Sequence, residues 1–117
     1  MTTARKNVSV VQSFRQASES RAATERRLAE LGIGILMALE EGRGTAAEAA
    51  RDLFNMDSYQ AARRLRLSPD LLEFVAWGME LEDVDEFAPA AKDESFERMK
   101  QLVRRVLEDA REPAAAG

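Results

Sequence analysis

Five carboxylates within a short span, Glu80, Glu82, Asp83, Asp85 and Glu86, are the densest set of chemically competent side chains in this chain. Hard cations such as Mg²⁺ and Ca²⁺ take oxygen ligands, but the order of residues lacks the glycine-turned loop of an EF-hand, so neither a metal nor a cofactor site is assigned. On a helix Glu82 shares a face with Asp85 and Glu86, and their repulsion needs relief from water or a basic side chain. The cluster therefore reads as a solvated acidic surface, or as one that meets a basic partner.

A second set, Arg63, Arg64 and Arg66, lies at the end of the second of two short helical patterns, Thr45 to Phe54 and Ser58 to Leu65. That outline matches a helix-turn-helix. The arginines and Arg43 would release counterions from phosphates while Gln60 or Arg63 reached base edges. Two properties oppose it: the net charge is −4, and the second helix is barely two turns long. Nucleic acid is the alternative partner, carried by Arg63, Arg64 and Arg66. The chain contains neither Cys nor His, which excludes thiol and imidazole nucleophile arrangements, disulfides and the usual zinc ligand sets. No phosphate-binding glycine loop or HExxH-like motif is present. No catalytic residue is assigned, and the chain is expected not to be an enzyme.

The strongest contact signal lies just before the carboxylates. Leu71, Leu72, Val75, Ala76 and Met79 follow one helical face, and Phe74, Trp77 and Leu81 form a stripe beside it. Two apolar faces need two partners. Either this helix is central to the domain, or it buries one stripe and offers the other to a second molecule. The expected partner-binding set is Phe74, Trp77 and Met79 as anchor with Glu80, Glu82 and Asp83 as selective rim, most concretely in a homodimer.

The elements that position these residues are helical. Leu28, Leu31, Ile35 and Leu39 recur at spacings of three and four, widened by Ile33, Leu36 and Met37, in a helix beginning near Ser18 or Ser20. Gly32 and Gly34 lower its intrinsic helicity, which suits close approach of another backbone, and Gly42-Arg43-Gly44 fits a left-handed glycine cap. Thr45-Ala46-Ala47-Glu48 is a capping box. Ser58 or Asp57 is the expected cap of the next helix, and Ser68-Pro69-Asp70 starts the Trp77 helix. A last helix is expected from about Asp93 to Arg111, with Phe96, Met99, Val103, Val106, Leu107 and Ala110 on one face. The expected fold is all-α, a compact bundle of about five helices in a single domain.

Composition sets the boundaries. The 117 residues, 45% of them apolar, suffice for one modest core. Residues 1–27 carry a balance of +4 against −8 for the remainder. Residues 1–17 are expected to form a flexible basic arm, 18–111 the helical domain and 112–117 a disordered tail. No apolar run approaches the roughly 20 residues of a membrane span, and residues 1–20 lack a signal-like apolar core, so the expected location is cytoplasmic and away from membranes. Arginine exceeds lysine 14 to 3, a bias that suits a high-GC bacterial source.

Three segments carry a resemblance: Leu31 to Glu40, Thr45 to Phe54, and Gly78-Met79-Glu80-Leu81-Glu82-Asp83-Val84. Together they resemble a bacterial domain-of-unknown-function family, number three-nine-six-nine. In that family a helix ending Ala-Ile/Leu-Glu precedes a short Glu-Ala helix ending Leu-Phe, and a Gly-Thr-Glu-Leu-Glu-Asp-Val/Ile segment follows. The resemblance spans about residues 28–107, with Gly78 to Val84 its most specific part. This chain has Met79 where the family commonly has Thr, Asn55 to Tyr59 where it has Ser-Pro-Tyr, and Ala76-Trp77 where a His often precedes the glycine. The resemblance implies a fold and a bacterial origin but no established activity.

Overall fold

Why the chain folds as it does is visible first at its helix starts. The computed structural model describes residues 21–116, with side chains through Asp109. The basic arm at 1–17 and the helix start near Ser18 or Ser20 lie outside the described residues. Thr45 accepts a bond from the Glu48 amide at 3.1 Å while the Glu48 carboxylate accepts from the Thr45 amide at 3.0 Å. This complete capping box starts a helix at Ala46. Ser68 caps the Leu71 amide at 3.3 Å and Pro69 occupies the first turn, where its missing N–H costs nothing. Gly42 adopts φ +74°, the left-handed geometry that ends the preceding helix.

The described residues form α1 (Arg21–Glu40), α2 (Ala46–Asp52), α3 (Met56–Arg64), α4 (Pro69–Met79), α5 (Leu81–Phe87), a 3₁₀ turn (Pro89–Ala91) and α6 (Lys92–Ala116). No strand occurs among them. The fold is all-α, with α1 and α4 both laid against α6. Its core includes Leu28, Leu36, Phe54, Phe74, Leu102 and Val103, each at most 3% exposed.

Three local expectations change. The cap of α3 is Asn55, whose side chain accepts from the Ser58 amide at 2.9 Å; Ser58 itself is buried one turn inside. Asn55 wins because its backbone is extended, as a cap requires, and its amide also donates to the Ala50 carbonyl at 2.8 Å. The Trp77 helix does not run on through the carboxylates but breaks at Glu80, which raises the α-helix count above five. A continuous helix would stack those charges near its negative end, whereas the break places Glu82 and Asp83 in the first turn of α5, where the helix dipole favours them. Finally, α6 continues past Arg111 to Ala116.

The inward face of α1 is also rotated from the expected one. Leu28, Ala29, Gly32 and Leu36 point into the core, while Leu31 and Met37 are exposed. Gly32 sets this register: a Cβ there would collide with the Phe74 ring. Gly34 has nothing within 4 Å of a hypothetical Cβ, so among the described residues only Gly32 of the two serves packing. The other costs the isolated helix about 1 kcal/mol relative to Ala.

Candidate functional site

The residues expected to bind a partner divide into three environments. Phe74 is fully buried, edge-on to Phe54 with ring centroids 5.5 Å apart and planes at 77°. It belongs to the core and is removed from the contact surface, because Gly32 and Phe54 already enclose its ring. The helix that carries it is central: Leu71, Phe74, Val75 and Gly78 are all buried.

Trp77 and Met79 are partly buried against that core. The Trp77 indole donates to the Glu73 carboxylate at 3.2 Å, and Arg98 of α6 donates to the same oxygen at 2.9 Å. Arg98 first, then Trp77, hold the Glu73 carboxyl below its ordinary pKa. The stability from these contacts is therefore present above the ordinary carboxylate range and lost as pH falls through the lowered value. Trp77 is a tethered cover over the α4–α6 seam rather than a free anchor. Next to it, Arg105 makes a forked contact with Asp70 at 3.2 Å to each oxygen.

Glu80, Glu82 and Asp83 are exposed, as is Glu86, and none has an ion pair among the described residues. Asp85 alone in the cluster is paired, to Lys92 at 2.6 Å. Among the described residues no group of three or more His, Cys, Asp or Glu side chains is placed to hold a metal ion. At the end of the same helix stands Phe87, 75% exposed, the most exposed large hydrophobic residue described. Along α5 the inward order runs Leu81, Val84, Phe87, and spacing of three drifts backwards around a helix with 3.6 residues per turn. Leu81 is buried, Val84 is partly buried and Phe87 is out in solvent. That drift was readable in the sequence once the helix start at Leu81 was known. Beside α5 a shallow cleft is lined by Leu39, Ala46, Leu81, Phe96 and the Asp85–Lys92 pair.

The arginines occupy another part of the surface. Arg63 and Arg64 lie exposed in the last turn of α3 and, with Gln60, line an open depression. Arg66 has φ 57°, and its carbonyl accepts from the Arg21 guanidinium at 3.2 Å. The Glu25 carboxylate accepts from the Ser68 amide at 2.8 Å, so α1 fastens the α3–α4 corner from two sides. Burial raises the Glu25 pKa, an effect that this amide bond and Arg21 partly oppose. The first turn of α3 holds Asp57 and the exposed Met56, where a recognition helix would present its base-reading residues.

The segments that carry the family resemblance meet in space. A Cβ on Gly78 would overlap the Phe54 ring, so the Leu-Phe end of the α2 segment packs directly on the glycine that opens the Gly-x-Glu-Leu-Glu-Asp-Val run. A family model described as "Protein of unknown function (DUF3969)" matches residues 19–116, a longer stretch than the resemblance spans. No curated protein and no solved structure matches the chain.

Proposed function

The chain belongs to the DUF3969 family of proteins of unknown function, and on that premise we propose that it is a non-enzymatic interaction module of the bacterial cytoplasm that docks a basic protein partner through α5 and also self-associates. The observation that carries this is the composition of α5: unpaired carboxylates at Glu82, Asp83 and Glu86 share one short helix with Phe87, 75% exposed. An aromatic anchor with a charged rim is the usual anatomy of a contact surface, the anchor supplying affinity and the rim selecting the partner. The neighbouring cleft, floored by Leu39, Leu81 and Phe96, offers a seat for an apolar side chain of that partner. Relative to the expected set, Glu80, Glu82 and Asp83 keep their place as the rim, and Phe87 replaces Phe74 as anchor.

The nucleic-acid alternative has its support in Arg63, Arg64 and Arg66. Its basic groups lie at the C-terminal end of α3, and a carboxylate, Asp57, lies at the N-terminal end.

The test is affinity capture from nuclease-treated bacterial extract with the wild type, Glu82→Lys with Asp83→Lys, and Arg63→Glu with Arg64→Glu. The expected result is a basic protein retained at low salt and lost only with the α5 variant. Retention of nucleic acid without nuclease, lost only with the arginine variant, would replace this function with the alternative.

A further inference from the structure

The outward face of α1 is left uncovered by the other described residues. Leu31 is 41% and Met37 48% exposed, and between them Gly34 has open space where a side chain would be. Arg27 and Glu41, one further turn out on either side, are exposed as well. The spacings from Arg27 through Leu31, Gly34 and Met37 to Glu41 are four, three, three and four, which keeps the first four on one helical face and puts Glu41 just past the end of α1, where its amide still donates to the Met37 carbonyl at 3.0 Å. They are also symmetric about Gly34.

That symmetry has a specific consequence for two copies of the helix crossing antiparallel at Gly34. Leu31 of one copy meets Met37 of the other, and Arg27 meets Glu41, each pair occurring twice about a two-fold axis as an isologous contact requires. Each charged pair lies about 10 Å from the crossing point, given a rise of 1.5 Å per residue. A residue without a side chain at the crossing lets the two backbones approach closely. Glu41 is held by Arg43 at 2.8 Å, but both side chains are more than half exposed, and such a pair yields readily to a better one.

We propose that this α1 face is where a second copy of the chain docks, as an antiparallel pair crossing at Gly34. The charge pattern selects a second copy because Arg27 and Glu41 stand at equal distances from the centre of the face and pair across the two-fold axis, while the exposed Glu30 lies one turn from Arg27 on the same helix. One helix face is at the small end of specific interfaces, so the dimer is reversible and concentration dependent. The inference deepens the self-association part of the proposed function and is independent of what α5 binds.

The experiment is light scattering on the full chain across a concentration series, with helicity followed by circular dichroism. Wild type passes from monomer to dimer. Leu31→Glu with Met37→Glu stays monomeric at every concentration with helicity kept, since neither side chain belongs to the buried core. Arg27→Glu weakens association by about tenfold, from two lost attractions and two new repulsions. Adding Glu41→Arg to Arg27→Glu restores association, which a general loss of solubility or stability would not do. A wild type that stays monomeric, a dimer indifferent to Leu31→Glu with Met37→Glu, or a charge swap that fails to rescue would each overturn the proposal. A monomer that still captures its partner through α5 refutes this inference alone. A dimer whose α5 charges have no effect on capture refutes the docking function instead.

Discussion

Phe74→Ala should lower the unfolding free energy by about 3–5 kcal/mol, measured by urea denaturation, because it removes a fully buried ring from a site that cannot collapse around the loss. The ring stands edge-on to Phe54 and fills the space Gly32 leaves open. No single neighbour can move into all of that volume. A domain of this size has a total stability of about 5–10 kcal/mol, so the variant is expected to lose roughly a third or more of it. Trp77→Phe should cost only about 0.5–1.5 kcal/mol, since it keeps one aromatic ring at a partly buried position and loses the smaller indole ring with its hydrogen bond to Glu73. Trp77 is the only tryptophan, so its emission reports the same contact. Acidification through the lowered Glu73 pKa should shift that emission before global unfolding, and Glu73→Gln should remove the shift. Equal losses for Phe74→Ala and Trp77→Phe would contradict the assignment of one to the core and the other to its cover.

Gly78→Val should cost about 3 kcal/mol, at the upper end of what overpacking does to a closed core. The Cβ would overlap Phe54 at Cγ and both Cδ atoms, the part of the ring nearest its own backbone, so a change of rotamer does not relieve it. Phe54 is 2% exposed and has no solvent side to move toward. Gly78→Ala should cost less, because up to about 1 kcal/mol of helix propensity offsets the strain. Combining Gly78→Ala with Phe54→Leu should recover part of the loss, a coupling expected only of residues in contact. An unchanged denaturation midpoint for Gly78→Val would show that Phe54 does not pack there.

What could be read from the sequence was the part set by local chemistry. The Thr45–Glu48 box, the Ser68-Pro69 start and the left-handed Gly42 depend on neighbours within a few residues. So does the all-α class, which follows from apolar spacing. The rotation of α1 was not legible, because apolar residues surround that helix and leave its periodicity without a preferred direction; only the distant Phe74 ring, fitting against Gly32, decides it. The same is true of α4. Its two stripes allowed a central or an interfacial helix, and the choice rests on Phe54 and on α6 arriving from elsewhere in the chain. Phe87 escaped notice because its exposure depends on the break at Glu80, which restarts the helical register. The exposure of Glu80, Glu82 and Asp83 was legible because a dense run of carboxylates has few places to go except into solvent.

The α5 docking claim is tested most directly by placing a photo-crosslinking phenylalanine analogue at position 87 of the full chain, irradiating bacterial cells that express it, and identifying the product. Phe87 is exposed enough for the substitution to leave the fold intact. The expected result is one discrete adduct with a basic protein, lost when Glu82→Lys and Asp83→Lys are added and absent when the same analogue replaces Met56. An adduct that persists with those charges reversed, or no adduct at position 87 while an analogue at Arg63 crosslinks to nucleic acid, would contradict it.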